Sequence, residues 1–266
     1  MPVLIVLLAA IGVMGWREYT LQRAVRELRE AGFVKMGLES SLGTRLRQAA
    51  AEWPDLFRAR TWMGEENREV GWSVSAETAR QLRNLDAVAP ALRRVNPDMI
   101  FLVGCTELRS VDGLKGLSSL KILSLTDCTS LQNVDGLKGL ASLQELNLTG
   151  CTSLQNVDGL QCLTSIQAIF LRDCTALRSV NPLKSLTSLP SLSLRGCTAL
   201  QNADGLESLT SLEQLDLSGC TALENVDSIK GLTSLKIIYL AGCSKITPEQ
   251  FAALRAAQLG TGMQPP

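Results

Sequence analysis

The chain contains no histidine. Imidazole is a common general base and metal ligand near neutral pH, so its absence excludes a Ser-His-Asp hydrolase, a Cys-His protease and a histidine-ligated zinc enzyme. Net charge is lacking too, because 26 basic side chains balance 26 acidic ones, and a neutral chain has no general attraction for nucleic acid. Aromatic residues make up only 4 % of the sequence. The missing imidazole favours a protein that binds over one that catalyses.

Motifs for phosphate binding and nucleophilic catalysis are also missing. The sequence contains neither G-x-x-x-x-G-K-[ST] nor G-x-S-x-G. Asp-Gly pairs recur, but without the D-x-D-x-D clustering that gathers oxygen ligands around one calcium ion. We therefore predict no catalytic residue, no metal site, no cofactor and no small-molecule substrate. An enzymatic activity carried by residues 33–75 is the alternative.

Cysteine is well represented, with eight residues, and all but Cys162 follow one another at intervals of 23. A fixed interval indicates an internal repeat, because disulfide frameworks and metal sites space their cysteines differently. We predict that each thiol points inward, stacks on the next and fills space as a small buried hydrophobe, whereas Cys162 is exposed. A reactive or metal-binding thiol is the alternative. The predicted ladder comprises Cys105, Cys128, Cys151, Cys174, Cys197, Cys220 and Cys243.

Aligning the chain on these cysteines gives seven coils, of which the second is LKILSLTDCTSLQNVDGLKGLASL over residues 120–143. Leu123 and Leu125 alternate with polar neighbours, and this period of two predicts a short strand. Apolar residues then recur at every third position, which predicts a 3₁₀ or helical return. One coil cannot bury its leucines alone, so the coils must stack. Each return is predicted to begin at an Asp or Asn N-cap, at Asp112, Asp135, Asp158, Asn181, Asp204 and Asp227.

The segment L-x-x-L-x-L-x-x-C-x-x-L resembles the leucine-rich-repeat signature, with Cys where many members of that family carry Asn. The resemblance covers residues 98–246. It implies an α/β solenoid with a curved parallel β-sheet on the concave face and short helical or 3₁₀ returns. Phrases such as L-D-L-S-G-C-T-A-L resemble repeats of bacterial surface proteins and of plant immune receptors. The whole order of segments resembles anchored leucine-rich-repeat proteins of bacteria.

The rest of the chain is predicted to flank and close this solenoid. Residues 17–31 predict an amphipathic helix that ends at Gly32, and residues 44–53 predict another. Leu85, Val88 and Leu92 match a return segment that no full strand precedes. The predicted organisation is an apolar anchor or signal segment at 1–16, a helical juxtamembrane region at 17–72, an N-terminal cap at 73–97, seven coils at 98–246, a C-terminal capping helix at 247–259 and a tail at 260–266.

Residues 3–16 (VLIVLLAAIGVMGW) contain no charge. They are fewer than the roughly 20 residues of a typical spanning helix, but Trp16 would suit a membrane interface. We predict a single-pass membrane anchor; a cleaved signal peptide and an ordinary core helix are the alternatives. Basic residues follow this segment and none precedes it, which favours a cytoplasmic repeat domain by the positive-inside rule, with the side left open.

The outward strand positions of the coils form one sheet face, and the resemblance implies that its concave face binds a protein or peptide. Aromatic and arginine residues, which are enriched at interface hot spots, gather there towards the C-terminal half. The alternative is that these residues only suit exposed strands. We predict a membrane-anchored, non-enzymatic protein-interaction module; a secreted effector or surface adhesin with a cleaved signal is the second hypothesis. The predicted binding residues are Glu145, Asn147, Phe170, Arg172, Arg195, Asp216 and Tyr239.

Overall fold

The computed structural model describes residues 22–24, 26–36, 71–74 and 76–257. Within them the strands form one open nine-stranded sheet, in which the spatial order follows the chain. β1 and β2 pair antiparallel, and every later neighbour pair is parallel. The strands are β1 Phe33–Met36, β2 Gly71–Val74, β3 Met99–Phe101, β4 Ile122–Ser124, β5 Glu145–Asn147, β6 Ala168–Phe170, β7 Ser191–Ser193, β8 Gln214–Asp216 and β9 Ile237–Tyr239.

Strands β3 to β9 confirm the predicted solenoid sheet, because each coil contributes one three-residue strand and pairs with the next coil at an offset of 23 residues, as in Leu123 with Leu146. The middle residue of every one of these strands is almost fully buried, and its two neighbours point to the other face of the sheet. The buried leucines of the strands and returns form one continuous core along the stack.

The returns are short 3₁₀ helices, but the N-cap role predicted for their Asp and Asn residues is wrong. In the second coil the helix is Asp135–Leu137, the N-cap is Val134, and no side chain caps the turn. The backbone N–H of Asp135 instead donates to Oδ1 of Asn133 at 3.2 Å. A buried valine or alanine immediately precedes each of these Asp or Asn residues. The side chain that reaches the backbone N–H of the Asp or Asn is therefore the polar one two residues before it. The same bond is made by Ser110, Asn156, Ser179, Asn202 and Asn225.

Three of these Asp side chains, those of Asp112, Asp135 and Asp227, form exposed ion pairs with the lysine three residues later, at 2.6–2.7 Å. Glycine follows Asp135 because the coils approach closely there. A Cβ on Gly136 would collide with the carbonyl oxygen of Val111 in the preceding coil. The Asp-Gly pair is therefore a product of coil packing.

The N-terminal end of the sheet differs from the prediction, because two strands were missed. β2 precedes the first coil and pairs in parallel with β3, and β1 lies antiparallel on the far side of β2. The prediction of a helical juxtamembrane region at 17–72 is therefore wrong at residues 33–36 and 71–72. The prediction of an N-terminal cap without a full strand before it is also wrong, because β2 is such a strand. Phe33 and Trp72 anchor the two strands, with 1 % of each residue exposed. Each of these strands is four residues long and occurs once, so no periodic pattern in the sequence indicates them.

Helices cover both ends of the stack. Residues 22–24 and 26–30 are helical, with Ala24 and Leu28 buried, and the backbone turns at Gly32 with φ of 81°. Helices α1 (Ala76–Gln81) and α2 (Ala89–Val95) precede the first coil. At the other end, helix α3 (Pro248–Ala256) begins with a capping box in which Thr247 and Gln250 exchange hydrogen bonds. Leu254 of α3 is fully buried at the end of the core.

Several predicted segments lie outside the described residues: the apolar segment at 1–16, the helix at 44–53 and the tail at 260–266. In the parts of the chain that the structure describes, no helix combines the length and hydrophobicity needed to cross a bilayer.

Candidate functional site

The side chains that point away from the core on strands β3–β9, and on the residue two positions beyond each strand, are here called the outward face. Strand register arranges them in three rows. The first row is Met99, Ile122, Glu145, Ala168, Ser191, Gln214 and Ile237. The second row is Phe101, Ser124, Asn147, Phe170, Ser193, Asp216 and Tyr239. The third row is Val103, Thr126, Thr149, Arg172, Arg195, Ser218 and Ala241.

The register places all seven predicted binding residues on strands β5–β9 or directly beyond them. Phe170 lies between Asn147 and Ser193 in the second row, and Asp216 lies between Ser193 and Tyr239. The same register extends to the third row, beyond the strands. There the residue after Arg172, Asp173, donates its N–H to the carbonyl oxygen of Arg195 in the next coil at 2.7 Å. The predicted residues therefore occupy neighbouring positions on one surface. Whether they bind a partner stays a prediction.

Two of the predicted binding residues also serve their own backbone. Oδ1 of Asn147 accepts the N–H of Thr149, and Oδ1 of Asp216 accepts the N–H of Ser218, both at 2.9 Å. Each side chain thus closes the end of its own strand. Asp216 is only 5 % exposed, so little of it can reach a partner. The remaining predicted residues are half-buried, apart from Arg195, which is exposed.

The sequence pattern did not indicate how the small residues of the second row would behave. Ser124 and Ser193 are buried on the outward face, at 4 % and 3 % exposed. Ser124 shares a hydrogen bond with Thr126, at 3.0 Å between the two hydroxyl oxygens, whereas Oγ of Ser193 has no hydrogen-bond partner among the described residues. In the strand register Ser124 lies between Phe101 and Asn147, and Ser193 lies between Phe170 and Asp216, so each serine has larger side chains on both sides.

Glu145 is the one carboxylate of the first row. Its neighbours in register are the apolar residues Ile122 and Ala168, and no cation among the described residues forms an ion pair with it. Burial disfavours the charged carboxylate and raises the pKa of Glu145 to about 7. An unpaired, partly desolvated carboxylate on the outward face can accept a cation or a hydrogen-bond donor.

The seven ladder cysteines are all buried, whereas Cys162 is exposed, and none of the eight forms a disulfide. The ladder residues are more than space-filling hydrophobes. Six of the thiols donate to the carbonyl oxygen of the leucine 26 residues earlier, with S–O distances of 3.0–3.2 Å. Cys128 bonds to Leu102, for example, and Cys174 to Leu148. Each bond joins one coil to the strand end of the coil before it.

Burial also makes the ladder thiols chemically quiet. It raises the pKa of Cys151 and Cys197 to about 12 and that of Cys243 to about 11. Because the thiolate is the nucleophile and the metal ligand, these side chains stay protonated and unreactive near neutral pH. Within the described residues, no group of three or more Cys, Asp and Glu side chains could hold a metal ion.

Comparisons with known proteins address the fold. A family profile described as "BspA type Leucine rich repeat region" matches six copies over residues 100–201 and 150–253, which together span more than half of the chain. No curated protein sequence matches. Among solved structures, the chain is similar to internalin C2 from Listeria monocytogenes, with 21 % identity and a TM-score of 0.42 over 69 % of this chain and 80 % of that one. It is also similar to the leucine-rich repeat domain of the type III effector XopL, with 17 % identity and a TM-score of 0.44 over 93 % and 95 % of the two chains.

The difference in burial predicts a difference in thiol labelling. Ellman's reagent is expected to modify about one thiol per native chain, that of Cys162, and all eight after unfolding in urea. Cys162→Ser, the matched control, should abolish the native signal and leave seven thiols in urea. Prompt modification of several thiols in the native Cys162→Ser chain would contradict the buried, hydrogen-bonded ladder.

The raised pKa of Glu145 predicts a pH-dependent stability. The folded chain holds a proton that the unfolded chain releases, so the free energy of unfolding falls as pH rises from about 4.5 to about 7. The loss is at most about 3 kcal/mol, since one pKa unit corresponds to about 1.4 kcal/mol. Glu145→Gln removes this titration. Urea unfolding is expected to show that the free energy of unfolding of the variant, relative to the wild type, is higher at pH 8 than at pH 5. Glu107→Gln, whose side chain is 44 % exposed, controls for lost negative charge; an equal gain there would count against the assignment.

Proposed function

The chain belongs to the BspA-type leucine-rich-repeat family, and from this premise we propose that it is a non-enzymatic protein-interaction module that binds a protein or peptide on its outward face. The family match confirms the predicted leucine-rich-repeat fold. Domains of this kind generally act in protein interaction, and the outward face is the part of this one that the fold leaves variable.

One observation carries the proposal. The inward positions of the coils repeat almost without change, as leucine, isoleucine, valine or cysteine, because stacking demands it. The outward positions do not repeat: the second row alone contains phenylalanine, serine, asparagine, aspartate and tyrosine. Stacking needs no such variety, because small polar residues would satisfy an exposed sheet. Side chains that vary where the fold does not require it are best explained by a partner with its own shape and charge.

The chemistry of the chain supports binding without catalysis. Histidine is absent from the sequence, and burial raises the pKa of the Cys151, Cys197 and Cys243 thiols above the neutral range. The outward face combines a half-buried aromatic ring at Phe170 with the guanidinium groups of Arg172 and Arg195. Such residues offer large contact area and directional hydrogen bonds at protein interfaces.

We also propose that residues 3–16 anchor the repeats in a membrane, with the cytoplasmic side as the favoured side for the repeat domain. Its support is the uncharged sequence of that segment and the basic residues that follow it. A secreted effector or surface adhesin, whose signal peptide has been cleaved, is the second candidate. The apolar core of a signal peptide has a similar length, which favours that candidate.

Capture by the full chain tests the binding function. A crosslinked pull-down from the source cells, quantified by mass spectrometry, is expected to recover a set of proteins that falls at least about tenfold with the variant Phe170→Ala/Arg195→Ala, because truncating two hot-spot residues costs more than about 1 kcal/mol each. Arg178→Ala, an exposed arginine away from the outward face, is the matched control. A partner set unchanged by the double variant would reject the outward face as the binding surface.

Mass spectrometry of the mature N-terminus separates the two localisations. An anchored chain is expected to keep residues 3–16 and to sediment with membranes until detergent is added. A mature chain that begins near Trp16 would instead support the secreted candidate and remove the anchor.

A further inference from the structure

Three chemically different side chains of the outward face lie at an interval of 25 residues: Glu145, Phe170 and Arg195. The coil period is 23, so each step moves one strand across the sheet and two residues along it. Glu145 pairs in register with Ala168, two residues before Phe170. Phe170 pairs with Ser193, two residues before Arg195. The three residues, here called the diagonal, therefore form one line across strands β5, β6 and β7.

The dimensions of the diagonal match an extended peptide. Neighbouring strands lie about 4.8 Å apart and two residues span about 6.6 Å, so each step measures about 8 Å and the whole diagonal about 16 Å. An extended peptide presents every second side chain on the same side, about 6.8 Å apart. Its residues i, i+2 and i+4 can therefore face the three members of the diagonal, given the length of the glutamate and arginine side chains.

The two charged ends of the diagonal have no counter-ions among the described residues. Neither Glu145 nor Arg195 takes part in any of the ion pairs there, although other charges at this edge of the solenoid do. Lys236 pairs with Glu213 at 2.8 Å, for example. The carboxylate of Glu145 thus offers hydrogen-bond acceptors at one end of the diagonal, and the guanidinium group of Arg195 offers donors at the other.

The two charges also differ in exposure in a way that favours a partner. Ile122 and Ala168 flank Glu145 in register, so its carboxylate has lost part of its hydration and has gained no ion pair in return. Arg195 is exposed and keeps its hydration until a carboxylate arrives. A basic group that reaches Glu145 replaces lost hydration with an ion pair, while an acidic group at Arg195 can form a bidentate bond.

From this geometry we infer that the outward face recognises an extended peptide segment in which a basic residue, an apolar residue and an acidic residue occur at every second position. The basic residue contacts Glu145, the apolar residue packs on Phe170 and the acidic residue contacts Arg195. The pattern is basic-x-apolar-x-acidic, in either chain direction. This inference rests on the proposed function and deepens it by naming the chemistry of the partner.

The test is selection from a random peptide library displayed on phage, panned on the purified full chain in mild detergent and sequenced. On the wild type, opposite charges four residues apart around a central apolar residue are expected to be enriched about tenfold over the input, the ratio that about 1.4 kcal/mol supplies. Glu145→Lys should replace the basic preference with an acidic one, and Arg195→Glu should replace the acidic preference with a basic one. Arg178→Glu, an exposed charge reversal away from the outward face, should select the wild-type pattern.

The outcomes separate this inference from the proposed function. Enriched peptides that lack the charge pattern, or a pattern that Glu145→Lys leaves unchanged, overturn the inference while binding stands. A peptide yield that Phe170→Ala does not lower, or no enrichment on the wild type, also overturns the inference, whereas the proposed function falls only if the pull-down with Phe170→Ala/Arg195→Ala leaves the partner set unchanged. Circular dichroism checks that each variant is folded. If Glu145→Lys does not fold, Glu145→Gln replaces it and should lose the basic preference while keeping the acidic one.

Discussion

Coil-on-coil stacking at a constant offset of 23 residues is the constraint on which the rest of this structure depends. A single coil has a three-residue strand and a 3₁₀ turn, too little to bury its leucines, so its core exists only between two neighbours. The constant register keeps each middle strand residue inside, from Ile100 to Ile238. A slip of one residue would turn the core side chains outward. The position of every outward side chain is therefore a consequence of packing on the opposite face.

The cysteine ladder adds a polar component to that stacking. At the end of each strand the chain bends into the interior, and a carbonyl oxygen such as that of Leu125 is left where water cannot reach it. The N–H of Cys128 and the thiol of Cys151 in the next coil both donate to this oxygen. A buried carbonyl without donors is costly, so the thiol contributes a hydrogen bond as well as volume. Cysteine is small enough to fit beside the leucines and polar enough to bridge coils.

Features of the fold that repeat along the chain could be predicted from the sequence, and features that occur once could not. The strands and returns of the seven coils were predicted correctly because the leucine spacing occurs many times over. β1 and β2 were missed because each occurs once, is four residues long and gains its stability from pairing at the sheet edge. The cap role of Asp135 was wrong because capping depends on the angle at which the chain enters a turn, and that angle is set by tertiary packing of Val134.

The candidate site differs from the core in this respect, because its residues occupy positions at which the amino acid changes from coil to coil. The alternation of each strand within the 23-residue period predicted that Phe170, Arg195 and their neighbours lie on the outward face, but it could not show that Asp216 is covered or that burial raises the pKa of Glu145. Those facts depend on how neighbouring side chains pack, whereas the strand register converts distance along the chain into position on a surface. Residues 23 apart lie directly across from one another, and residues 25 apart lie along a diagonal. The constant period of the buried core therefore fixes which of the variable outward side chains lie next to one another on the surface.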